Sequence, residues 1–445
     1  MSKVPKLRVV SKTAAGPAAG QGLLGDLPDH LTVELAGIAE VARDGLMAVS
    51  VAAGLAVAQA LFDEELESIC GPRSRHDADR TAVRHGSEAG SVVLGGRRLA
   101  IAHPRARTTD GHEVPLATYR FFADDDQLTA VVLERMLAGV ATRRHVAIAD
   151  PVGEQAAAAS ASMSRSAISR RFVAATEKAL AQLMSRPLPD DIKILLIDGE
   201  HFGEHCCLVS LVITADGTKI PAGIWEGSSE NKTVVRALLA DLISRGLAFD
   251  DGLLVVIDGG KGLRAAAREV LGTKAAVQRC TLHKRRNVAE HLPKDQQAWV
   301  DAKLVRAFFH PDPAQGLASA RALATTLDRD HPGAAASLRE GLEEMFTVSR
   351  LGIDGRLLRS LCTSNAVESM ISVARATNRN VTNWKDGKMI LRWAAAGMLN
   401  AERSFRRIKG YRQMPQLVKA LHRHAHPHDP ATTAAFGAET VGAVA

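Results

Sequence analysis

The sequence predicts an α/β fold, with strands in the middle of the chain and mainly helical segments on both sides. Three observations predict it. Between residues 192 and 280 the apolar residues gather in short runs rich in Ile, Val and Leu, bounded by turn residues, which is the pattern of buried strands. Two segments between those runs repeat their apolar residues at helical spacing instead. Outside that window, from about 126 to 186 and from about 282 onward, helical spacing dominates.

Taken in order, residues 30 to 70 carry helical spacing, and 71 to 127, with SVVLGG and RLAIAHP, read as a small β-rich module. Gly45 to Phe62 is uncharged, but it is mostly Ala, Gly and Val, is broken by Ser50 and Gln59, and abuts Asp44 and Asp63. It reads as a buried Ala-rich helix rather than a membrane span. IKILLID (192–198) is a strand ending in an acid, and CCLVSLVI (206–213), ADGT and KIPAGIW (219–225) form a hairpin. SSENKTVVRALLADLISRG (228–246) has Ser at its start, Val234, Leu238 and Leu242 four apart, and Gly246 at its end, all helix signals. LLVVID (253–258), KGLRAAAREVL (261–271) and AAVQRC (275–280) continue as strand, helix and strand, giving the order βββαβαβ. Residues 282 to 360 are helical with breaks at Pro293, Pro311, Pro313 and Pro332; 364 to 379 restart a helix with Ser364 or Asn365 as N-cap; a basic amphipathic region runs to about 423. Residues 1–27 and 424–445 read as disordered tails, and the alternating His422, His424, His426 and His428 as solvated rather than chelating.

A chain of 445 residues exceeds one usual domain, and 46% hydrophobic with 24% charged residues excludes a wholly disordered or fibrous class. Lys plus Arg at 56 against 49 Asp plus Glu leaves a net charge of +7, which favours polyanionic partners. Five scattered cysteines make no disulfide framework. With few cysteines, no secretory signal and no membrane span, a cytoplasmic protein is expected.

The chemistry is expected at Asp198 and Asp258, each at the end of an apolar run and each followed by Gly. Two acids at adjacent strand ends invite a divalent cation, and phosphoryl transfer uses two ions about 3.5–4 Å apart held by hard carboxylates. Glu368, early in the helix after the proline-broken block, is the candidate third acid. Singly, each has a plain alternative as a turn Asp or a solvated Glu. Jointly, βββαβαβ followed by an acid-bearing helix is the order of a ribonuclease H-like fold, an argument by analogy. Cys280 and His283 form a C-x₂-H pair, two ligands where structural zinc wants four. They are read as active-site support, with His283 facing a phosphate, or more plainly as a histidine and a buried thiol.

DG at 198–199, DGTKIPAGIWEGSSENKTVVRALLADLISRGL (216–247), VIDGGKGLRAAAREVLGTKAAVQRCTLHKRRNV (256–288) and TSNAVES (363–369) resemble the mutator-type transposases of bacterial insertion sequences, over roughly residues 40 to 420. The resemblance implies a DDE triad of Asp198, Asp258 and Glu368 holding Mg²⁺, with Mn²⁺ as substitute, in a ribonuclease H-like domain at 187–283 and 361–423 split by a helical insertion at 284–360. It also implies binding to terminal inverted repeats and target DNA, as a homodimer or larger assembly, and a DNA-binding module before the catalytic domain. SASMSRSAISRRF (160–172) suits that module as the second half of a helix-turn-helix at about 150–185 within an N-terminal region at 28–186. Arg165, Ser166, Ser169 and Arg170 lie on its outer side, and the alternative is an ordinary capped surface helix. Lys284, Arg285 and Arg286, with Arg375 on the Glu368 helix, are further candidate DNA contacts. Arg403, Arg406, Arg407, Lys409 and Arg412 around Phe405 and Tyr411 could bind phosphates and stack on bases, or be solvated faces. The rival readings are a non-catalytic helix-turn-helix regulator and a paired-carboxylate hydrolase. Seventeen aromatics (11 Phe, 4 Trp and 2 Tyr) leave the hydrolase little for sugar stacking.

Overall fold

In the N-terminal part, helix α1 (Leu46–Cys70) lies against an antiparallel hairpin of β1 (Ala82–Leu94) and β2 (Arg97–Thr108), and the short β3 (Glu113–Val114) adds to β2. The computed structural model describes residues 46–75, 80–94, 97–144, 164–202, 205–227, 232–381 and 383–428. The expectations for 1–27, for the first half of the helix-turn-helix up to 163 and for 429–445 lie outside the described residues. Ala58 and Phe62 of α1 pack on Val92 and Leu116, and the Phe62 ring meets Tyr119 and Phe122 edge-on. Glu65 accepts from the backbone N–H groups of Ala117 and Thr118 at 2.8 and 2.9 Å, supplying the cap that Leu116 lacks for α2 (Ala117–Ala123); α3 (Asp125–Leu137) follows. The Ala-rich helix is buried on one face only, since Val57 and Leu61 are exposed. No helix among the described residues is long and apolar enough to cross a membrane.

The chain forms two units, Met1–Val131 with His145–Ala167, and Val132–Arg144 with Ile168–Ala445. Helix α4 (Arg165–Ser185) begins at Ser164, whose Oγ accepts from the Ala167 N–H. It buries Ile168, Phe172, Ala175, Ala179 and Leu183 at spacings of three and four, and Phe172 packs on Trp393 with ring centroids 4.4 Å apart. Most of α4, from Ile168 on, thus belongs to the second unit.

The second unit is built on a five-stranded mixed sheet. Strands β4 (Ile192–Phe202), β5 (His205–Thr214) and β6 (Lys219–Gly227) are antiparallel; β7 (Leu253–Ile257) and β8 (Ala275–Arg279) run parallel to β4, in the order β6-β5-β4-β7-β8. Helices α5 (Lys232–Ser244) and α6 (Lys261–Leu271) are the crossovers and cover one face. Residue parity divides the sheet. Ile194, Leu196, Leu254, Val256 and Ala276 face one apolar cluster, while Leu195, Ile197, Leu253, Val255 and Ile257 face the other, with α5 and α6. With both faces covered, the strands read as unbroken apolar runs rather than as alternation. One expectation is corrected here. Asp198 does not end its strand: β4 continues to Phe202 because β5 still pairs with it, Asp198 opposite Val209, after parallel pairing with β7 has stopped at Ile197 and Ile257.

Beyond the sheet come α7 (Thr281–Glu290), α8 (Lys294–Phe308), α9 (Pro313–Leu327), α10 (Pro332–Arg339), α11 (Thr347–Arg350) and α12 (Gly355–Leu361). Most of this stretch has its own core, including Val288, Leu304, Phe308, Ala324, Leu338 and Phe346. Side chains of β8 hold it in place: Gln278 donates to the Met345 carbonyl at 3.0 Å and accepts from the Val348 N–H at 3.0 Å, and Arg279 donates to Glu344 at 2.7 Å. Helices α13 (Asn365–Asn378), α14 (Gly387–Glu402) and α15 (Met414–Ala425) then return to cover the second face of the sheet. The helix expected to end near 423 thus runs to Ala425. Arg279 and Glu344 are nearly buried, so removing one partner strands the other charge. Glu344→Leu should lower stability by about 3–5 kcal/mol in urea unfolding, and Glu344→Leu combined with Arg279→Met should recover much of that loss. A double variant no more stable than the single one would show that the pair is not coupled.

Candidate active site

Strand parity puts two acids, Asp198 within β4 and Asp258 just after β7, on the same side of the sheet, and α13 brings a third. Asp198 follows Ile194 and Leu196, and Asp258 continues the Leu254 and Val256 series, so both belong on the face covered by α13. Asp198 is buried, at 4% exposure. Asp258 Oδ1 accepts from the Gly260 N–H at 2.9 Å, closing a turn through Gly259 at φ +133°, a conformation suited to glycine. Glu368 sits in the first turn of α13, one residue after the buried Val367, which seats it at the rim of the same apolar cluster.

The electrostatics show that these groups feel one another. Burial pushes the Asp198 carboxyl up to about 8; repulsion from Asp258 and Glu368 adds to the rise, and His283 opposes it. His283 is raised to about 9 by its hydrogen bond with Cys280 and by the Asp198 and Asp258 charges, against the opposing effect of burial. At Cys280 burial opposes ionisation, but hydrogen bonds from His283 and Ser364 outweigh it and the thiol is lowered. Cys280 occupies the N-cap position of α7, with its N–H donating to the Ile257 carbonyl at 2.7 Å.

Ser364 is the residue whose role the sequence pattern missed. It holds the N-cap position of α13, yet its side chain caps no backbone group. Its Oγ donates to Glu368 Oε1 at 2.6 Å and lies 3.4 Å from His283 Nδ1, while its N–H donates to Cys280 Sγ at 3.4 Å. The four-residue spacing of Ser364 and Glu368 in TSNAVES was the available signal. Ligand atoms of Cys280, His283 and Glu368 lie within 4.8 Å of one another; among the described residues the three acids do not form so compact a group.

The basic candidates divide. Lys284 is buried and donates to the Ser337 carbonyl at 2.6 Å, and burial lowers its pKa to about 8. Arg285 forms a fork with Asp301, two bonds of 2.6 Å. The reading of all three as exposed phosphate contacts is therefore corrected: helical spacing turns Lys284 inward and leaves Arg286 as the exposed member. Arg375 is paired with Glu200 and donates to the His201 carbonyl at 3.3 Å. Arg165, Ser166, Ser169 and Arg170 lie on α4, with Arg165, Ser166, Ser169 and Arg170 all exposed. Phe405 packs against the core beneath Lys219, and Tyr411 lies under Arg407, so neither ring is a bare stacking platform.

These features describe an α/β protein with an acidic candidate active site at one end of a mixed sheet. The sequence pattern of the "Transposase, Mutator family" matches residues 31–407, and the chain belongs to that family. It is similar to the transposase for insertion sequence element ISRM5 of Rhizobium meliloti (strain 1021), 28% identical over 56% of this chain and 61% of that protein. Two further relatives are the transposase for IST2 of Acidithiobacillus ferrooxidans (28%, covering 40% of this chain and 59% of that one) and that for IS256 in transposon Tn4001 of Staphylococcus aureus (24%, covering 70% and 79%). The aligned stretch is thus about 60% of the length of the first two.

The raised values at Asp198 and His283 predict a pH dependence of the metal-free protein. The folded state holds a proton on Asp198 from its ordinary range near pH 4 up to about 8, so that contribution to stability is lost as pH rises through this window. His283 contributes stability below about 6.5 that is lost toward 9, in the same direction. Thermal unfolding in chelator should show the melting temperature of the wild type falling relative to Asp198→Asn between pH 5 and 8. A gap that stays constant with pH would contradict the buried, proton-holding carboxylate.

Proposed function

We propose that the chain is a DNA transposase that binds the ends of its own insertion sequence and catalyses strand cleavage and strand transfer, with Asp198, Asp258 and Glu368 as its catalytic acids. The observation that carries this reading is geometric: the buried Asp198 shares one face of the sheet with Asp258, and Glu368 stands in the first turn of α13, the helix that packs on that face. The strand order β6-β5-β4-β7-β8, three antiparallel strands followed by two parallel ones, supports a ribonuclease H-like core, and the separate core of residues 288–346 supports a helical insertion between the second and third acids.

The donor set suits Mg²⁺, with Mn²⁺ as substitute, because the three carboxylates are hard oxygen ligands. When bound there, the ions would supply Lewis-acid charge stabilisation for phosphoryl transfer. The chain's own groups do the rest. Ser364 positions Glu368 through its 2.6 Å hydrogen bond. His283, cationic at neutral pH, offers a donor to a phosphate oxygen beside the acids. Arg165 and Arg170 on α4, with Arg286, are the exposed cations proposed to meet the DNA backbone. A homodimer or larger complex on DNA belongs to the same proposal.

Asp198→Asn, Asp258→Asn and Glu368→Gln should each lower cleavage of end DNA by about 10²-fold or more while leaving end binding intact, since these groups hold cations rather than bases. In the binding arm of the same assay, Arg286→Ala should weaken affinity and lower the slope of its salt dependence by about one, as expected when one phosphate is no longer neutralised. Cleavage persisting at the wild-type rate in any one of the three acid variants removes that residue from the site.

A further inference from the structure

A second group of donor atoms lies at the other end of β7. The turn that feeds this strand carries Asp251, and the end of α15 carries His422 and His426, one helical turn apart. The Nε2 atoms of His422 and His426 lie 3.9 and 3.7 Å from Asp251 Oδ1, and ligand atoms of all three residues are within 4.8 Å of one another. These distances are too long for hydrogen bonds. They approach the separation of about 3.4 Å that neighbouring ligands adopt around a tetrahedral ion with bonds of about 2.0–2.2 Å. The spacing is held by the backbone, because the His426 N–H still donates to the His422 carbonyl at 3.0 Å.

The two segments are also fixed against each other. Leu421, just before His422, is fully buried, and a Cβ on Gly252, just after Asp251, would come within 2.3 Å of the Leu421 carbonyl oxygen. Gly252 has φ +88°, so both space and conformation call for glycine. The neighbouring Asp250 is engaged by Lys274, while Asp251 Oδ1 is the carboxylate oxygen nearest both histidine Nε2 atoms among the ion pairs of this turn.

We propose that Asp251, His422 and His426 form a cation site for a borderline divalent ion, Zn²⁺ by preference, that pins the C-terminal helix α15 to the turn leading into β7. Two imidazoles and one carboxylate favour Zn²⁺ over Mg²⁺, which prefers oxygen ligands. The three side chains are partly exposed, so an ion can enter and water can complete its coordination. The site is structural in effect: it joins two segments far apart in sequence at the end of β7 opposite Asp258. It does not depend on the proposed strand chemistry.

The test is titration of the chelator-stripped full chain with Co²⁺ in excess Mg²⁺. The proposal expects visible d–d absorption that saturates at one equivalent, carries no thiolate charge-transfer band and is displaced by Zn²⁺. Absorption should be lost in the His422→Ala, His426→Ala double variant, and affinity should fall at least about tenfold in Asp251→Asn. Zn²⁺ should raise the melting temperature of the wild type and not that of the double variant. Each of three results overturns the proposal: no binding at stoichiometric Co²⁺, a spectrum unchanged in the double variant, or a spectrum dominated by a thiolate band, which would assign the ion to Cys280 and His283 instead.

Discussion

The second unit is organised around a concentration of negative charge at the end of β7. Asp198 is buried on the same face as Asp258 and Glu368, and carboxylates so gathered repel one another and lose hydration. The fold meets this cost with specific partners. His283 brings a positive charge, Ser364 takes up one oxygen of Glu368, and a turn N–H binds Asp258. The metal-free site keeps a proton, and the proposed ions would replace it.

Much of this arrangement is legible in the sequence because the sheet is covered on both sides. Buried strands then read as continuous apolar runs, and the runs at 192–198, 206–213, 219–225, 253–258 and 275–280 all became strands. Asp258 and Glu368 stand out in the sequence because each lies where an apolar pattern stops or restarts. Asp198 stands out for a reason the structure only partly bears out. Its apolar run stops there, but the strand does not, since antiparallel pairing with β5 carries polar residues on to Phe202.

Where the reading failed, three-dimensional neighbours outweighed local pattern. KRR at 284–286 looks like a basic patch, yet helix geometry sends one side chain inward, ties the second to Asp301 and leaves the third outside. Ser364 sits at an N-cap position but spends its hydroxyl on Glu368, a partner visible only as a four-residue spacing. The alternating C-terminal histidines read as solvated because no strand pattern fixes them. In α15 the relevant spacing is four, which brings His422 and His426 together beside Asp251, a residue 171 positions earlier than His422.

The helical stretch after β8 is tied to the site by the strand that precedes it. Arg279 donates to Glu344 in that stretch and also to the Gly259 carbonyl at 3.1 Å, next to Asp258, so its packing and the second acid share one side chain. The proposal assigns catalysis to the three carboxylates Asp198, Asp258 and Glu368. The most direct measurement is an anomalous-scattering crystal structure of the full chain grown with Mn²⁺. The account predicts Mn²⁺ peaks bound by carboxylate oxygens of Asp198, Asp258 and Glu368. Mn²⁺ absent from those carboxylates while the protein cleaves end DNA in the same buffer would contradict it.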